Sequence, residues 1–127
     1  MPDRLLYEYA VIRVVPVLQR EEFINVGVIV LCKPANALHV RVRLDEQRLA
    51  PWQDVLDMAQ VRANLLAFER IAAGRSEGGP IAGYDAASRF RWLTAVRSSA
   101  IQTSRPHPGL TNDLEGTVDR LFTELVL

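Results

Sequence analysis

The 127 residues hold one cysteine, Cys32, which excludes an internal disulfide and any metal cluster built from several thiolates. It lies in an apolar run, where a free thiol packs as a small hydrophobe. A chain with no disulfide framework suits a reducing compartment, so a cytoplasmic location is expected. Histidine is almost as scarce: His39 and His107 stand far apart and do not make metal-ligand spacing, so no metal or other cofactor is expected. Lys33 is the one lysine against fourteen arginines, and the formal net charge is +0. No whole-molecule field therefore favours nucleic acid or a membrane surface. Long apolar runs are also missing. The longest, residues 26–32, is far below the ~20 residues of a membrane span. The opening MPDRLLYEY has no apolar core of a secretory signal. Gly74, Gly78, Gly79 and Gly83 sit in GRSEGGPIAG, but no Lys-Ser/Thr pair follows and no strand precedes, so this is a connector and not a phosphate loop.

What remains is ordinary globular material, 49% hydrophobic and 24% charged, long enough for one domain over residues 1–127. Residues 7–17 read as a strand with Tyr7, Tyr9, Val11, Arg13 and Val15 on one face and Ala10, Ile12 and Val14 on the other. Apolar residues on both faces predict a central position, ending near Pro16. Residues 23–32 form a second, nearly continuous apolar strand joined to the first by a short hairpin link, and Gly27 within it predicts a bulge or a close backbone neighbour. After the turn KPANA, residues 38–44 alternate strictly. Leu38, Val40, Val42 and Leu44 form a buried face, and His39, Arg41 and Arg43 a wet one.

Helix follows. Pro51 suits a first helical position, and apolar residues from Trp52 to Ala72 recur at helical spacing as one broad helix or two shorter ones, stopped by Gly74. Asp85 can cap a helix over residues 86–96. Residues 99–104 read as a short strand and RPHPG, 105–109, as a stiff turn. Asn112 with Glu115 makes a capping box for a last helix with Leu114, Val118, Leu121, Phe122 and Leu125 inward. The fold class is α+β: an antiparallel sheet of three or four strands covered by helices.

Chemistry is concentrated, if anywhere, in residues 86–112, which carry Arg89, Arg91, Arg97 and Arg105 and no carboxylate. Arg89, Arg97, Ser98, Ser99, Arg105 and His107 are the candidate anion-binding set, since a guanidinium fork with two hydroxyls and a turn suits phosphate or carboxylate. Set against this, arginines on a short helix are usually a solvated face and a serine pair after a helix usually a turn. A Ser98 or Ser99 triad with His107 is disfavoured because the nucleophile elbow is absent. Glu22 and Asn25 are candidate pocket polars. Glu22 could pair with an arginine of the cationic stretch, and Asn25 within an apolar strand must find hydrogen bonds or cost about 1–3 kcal/mol. Its expected partner is bulge or loop backbone. Nucleic acid is not expected: that would need a basic face with stacking aromatics, and His39, Arg41 and Arg43 with Trp92 are a thin version of one.

Three blocks, YEYAVIRVVPVLQREEFINVGVIVLC, RFRWLTAVRSSAIQTSRPHPGL and VDRLFTELV, resemble the bacterial domain-of-unknown-function family numbered 3037 over nearly the whole chain. Residues carrying the resemblance are Arg13, Glu22, Phe23, Asn25, Gly27, Arg97, Ser98, Ser99, His107 and Gly109. The resemblance implies a small bacterial protein without an assigned reaction. It further implies a partner, since such genes lie beside kinase-like proteins similar to the toxins of bacterial persistence systems. No catalytic signature is present. The expected function is therefore a protein-interaction or regulatory module. The alternative is an enzyme or sensor that binds a phosphorylated small molecule or nucleic-acid end through the Arg/Ser/His set. A homodimer through exposed strand edges is a third expectation.

Overall fold

A computed structural model describes residues 4–95 and 99–127. The elements run β1 (Leu5–Val14), β2 (Ile24–Cys32), β3 (Ala37–Val42), α1 (Met58–Ala72), α2 (Ala86–Leu93), β4 (Ile101–Thr103), β5 (His107–Thr111) and α3 (Leu114–Leu125). All strand pairs are antiparallel, in the order β3-β2-β1-β4, with β5 also on β1. The fold is α+β, with a five-stranded sheet in place of the three or four strands expected.

The extra strand is β5, which the sequence reads as a stiff turn. Pro108 does not break it because Pro108 lies opposite Glu8 on β1, whose even-numbered residues turn their amides towards β2. Pro108 therefore faces its nitrogen outward, where no ladder bond is lost. Together β4 and β5 make one edge strand interrupted at Ser104. There the Ser104 hydroxyl accepts from Val11 N at 2.9 Å and Ser104 N donates to Val11 O at 2.9 Å, bridging the gap in the ladder.

Helices lie on both faces. Ala10, Ile12, Val14, Val26, Ile29 and Leu31 pack with Leu65, Phe68, Phe90 and Leu93 of α1 and α2. Tyr7, Val28 and Val30 pack with Val118, Leu121 and Val126 on the α3 side. The sheet is thus the middle of three layers, and β1 and β2 are apolar on both faces for that reason.

Gly27 marks the predicted bulge. The register passes from Ile12↔Gly27 to Arg13↔Asn25, leaving Val26 extra. This flips the alternation, so Val26 turns to α1 and α2 while Asn25 turns to α3. A Cβ on Gly27 would lie 2.6 Å from the Arg41 carbonyl oxygen, so the β2–β3 approach requires glycine here.

The broad helical band resolves into a short 3-10 turn, Ala50–Trp52, and α1, whose cap Asp57 accepts from Gln60 N. Asp85 caps α2 as read, and α2 ends at Leu93, short of residue 96. The cap of α3 is Asp113, one residue beyond Asn112; it accepts from Gly116 N at 3.1 Å. Among the described residues, no helix is long and apolar enough to cross a membrane.

Candidate functional site

The four described members of the proposed anion-binding set, Arg89, Ser99, Arg105 and His107, are not drawn to one point. Arg97 and Ser98 lie outside the described residues. Arg89 is committed to the α1 terminus: Nη1 donates to the Ile71 and Ala72 carbonyls at 3.0 and 2.6 Å, and Nε to the Tyr84 carbonyl at 2.9 Å. A guanidinium at a helix C-terminus matches the dipole there and satisfies carbonyls that the helix leaves open. The Ser99 hydroxyl donates to the Ile101 carbonyl at 2.7 Å. Arg105 is exposed in the break between β4 and β5. His107 is exposed with its ring 5.3 Å from Tyr9, on the α3 side of the sheet, whereas Arg89 is on the α1/α2 side.

Glu22 pairs with Arg20 on its own loop, not with the 86–112 stretch. That hydrogen bond raises the Arg20 pKa above its ordinary value. Asn25 Nδ2 donates to the Leu125 carbonyl at 3.0 Å, so the amide holds the end of α3 to the sheet; its backbone partner is a helix carbonyl, where bulge or loop backbone was expected. Among the described residues the buried Asn25 Oδ1 has no hydrogen-bond partner, and neither has Nε of its cross-strand neighbour Arg13. The Arg13 guanidinium lies 3.9 Å from the centroid of the Phe23 ring, and burial lowers its pKa.

A different region offers a built surface. Arg43 N donates to Val26 O at 2.7 Å, and antiparallel alternation then turns the backbone of Arg41, His39 and Ala37 inward to β2. Leu38, Val40 and Val42 present their N–H and C=O groups outward. None of these groups has a hydrogen-bond partner among the described residues. The same three side chains pack on the α1 side of the sheet. Between this edge and α1 runs a groove of about 310 Å³ lined by Leu38, Val40, Leu66 and Ala73 together with Glu69, Arg70 and Arg75. Leu66 is 45% exposed there. On the other side of the edge stand His39, Arg41 and Arg43, with Arg41 paired to Asp119 of α3.

By sequence these residues are a half-buried strand whose wet face, His39, Arg41 and Arg43, is a thin version of a nucleic-acid face. The alternation is visible in the chain, but nothing in it says that no fourth strand will cover β3. The groove's far wall, Leu66, Arg70 and Arg75, falls in a helical band in which it does not stand out.

A family profile matches residues 9–126, nearly the whole chain, and its description is "Protein of unknown function (DUF3037)". The chain belongs to that family. No curated protein and no solved structure matches it.

Proposed function

We propose that this chain is a protein-interaction module of bacterial origin that accepts an extended segment of its partner as a further strand on β3. One observation carries the reading: the outward N–H and C=O groups of Leu38, Val40 and Val42 are unpaired beside an open groove. An unpaired edge supplies main-chain hydrogen bonds for affinity, and a groove under alternate side chains supplies selectivity. A kinase-like partner, implied by the family resemblance, is the natural protein to hold against this edge in a regulatory role.

Selection from a displayed library of random extended peptides tests the reading. Selected binders are expected to slow amide exchange at Leu38, Val40 and Val42. Val40→Pro removes an outward N–H without touching the β2 ladder, so it should abolish capture and leave the circular dichroism spectrum intact. Binders indifferent to that substitution would overturn the proposal.

A further inference from the structure

Resting on that reading, we infer the chemistry of the segment: a strand alternating apolar residues with acidic ones, its apolar side chains in the α1 groove and its carboxylates opposite His39, Arg41 and Arg43. In an antiparallel or parallel addition, side chains of the incoming strand share the faces of β3. On the groove face it meets Leu38 and Val40 with Leu66 and Ala73, which favour apolar side chains, while Glu69, Arg70 and Arg75 line the same groove with both signs of charge. On the opposite face it meets an imidazole and two guanidiniums at every second residue. Opposite charges directly across a pair are favourable and like charges are not.

The same row disfavours a second copy of this chain in the registers that bring the guanidiniums together. Outward-facing residues must oppose outward-facing ones, so a two-fold pairing centred on Val40 sets Arg41 against His39 of the other copy. Moving it by one permitted step towards the end of β3 sets Arg41 against itself and Arg43 against His39. An acidic strand meets no such conflict. The Arg41–Asp119 ion pair does not preclude it, because both side chains are largely exposed, at 44% and 61%, and such a pair is weak and exchangeable.

Three probes and one variant decide the matter, read by NMR amide shifts and exchange. The probes are a blocked octapeptide alternating valine and glutamate, its valine–lysine counterpart, and a peptide with the valines and glutamates in separate blocks. The alternating glutamate peptide is expected to protect the Leu38, Val40 and Val42 amides and to bind at least about tenfold tighter than the other two, with added salt narrowing the gap. In the Arg41→Glu, Arg43→Glu variant the preference should reverse towards lysine. Equal binding of both charged peptides at these amides would overturn the acidic assignment and leave the edge reading standing. Protection of the same amides in concentrated protein alone would make a second copy the occupant and overturn it likewise. No effect of any peptide at those amides would remove the edge reading itself.

Discussion

Along one side of the sheet, β4 and β5 form an edge that is short, interrupted and partly blocked. The Ile101 carbonyl, which points outward, receives the Ser99 hydroxyl at 2.7 Å. Ser104 bends the strand, Pro106 and Pro108 supply no N–H, and Thr103 Oγ1 reaches the Thr94 carbonyl at the end of α2. Along the other side β3 runs six residues with no proline, no bulge and an alternating apolar and cationic pattern. Exposed edges invite pairing, and proteins usually blunt them with proline, bulges or charge. This molecule uses proline and a break in the strand at Ser104 on β4 and β5, and only charge on β3. Charge repels a copy of itself while leaving the backbone free for a partner of opposite sign. The contrast is therefore what a selective docking edge requires.

The contrast can be broken most severely by proline at an inward position. Arg41→Pro removes a donor from the β2 ladder and should cost about 3 kcal/mol or more in urea unfolding, whereas Val40→Pro, one residue away and outward, should cost about 1 kcal/mol or less. Comparable losses for the two would mean that the outward assignment is reversed. Next in size is Ser104→Ala on the closed edge. It strips the Val11 amide of its acceptor and should cost about 1–2 kcal/mol, seen as a lowered urea midpoint and faster exchange at Val11.

Pro108→Val should change stability by no more than about 0.5 kcal/mol, since nothing in the β1 ladder is touched. It restores an outward donor, so sedimentation should show more self-association than in the parent chain. An unchanged profile would mean that the break at Ser104 alone suffices to protect that edge.

A last test concerns α2, which touches both edges: Ala86 N donates to Asn36 just before β3, and Thr94 receives Thr103 of β4. The Asp85 carboxyl is held below its ordinary value by the Ser88 hydroxyl and then by the Ser88 amide, 2.8 Å away. Folding therefore favours the ionised form. The contribution is present above the unfolded-state value of 3.8 and is lost as pH falls through the lower folded-state value. The stability difference between the parent and Asp85→Asn should accordingly shrink on acidification, measured by urea midpoints from neutral to strongly acidic pH.

Much of the architecture could be read along the chain. Residues 38–44 alternate with a period of two, and β3 covers Ala37–Val42. Both faces of residues 7–17 are apolar, and β1 is central. Gly27 within a strand signalled the bulge, and Asp85 signalled the start of α2. β5 escaped notice because His-Pro-Gly reads as a turn by local chemistry, and only its place at an edge makes Pro108 acceptable. Arg89 and Asn25 were visible as polar oddities. That each would meet the C-terminal carbonyls of a helix distant in sequence was not.

The amino-acid order by itself determined which segments are helices and, β5 excepted, which are strands, where α2 is capped, and that His39, Arg41 and Arg43 share a face, because periods of 2 and 3.6 and side-chain caps act within a few residues. Tertiary structure alone decided which strand ends the sheet, which edge is closed by Ser99, Ser104 and Pro108, and that α1 forms the second wall of a groove beside β3. Whether a backbone amide is paired or free depends on what another part of the chain brings to it. No local pattern records an absent neighbour.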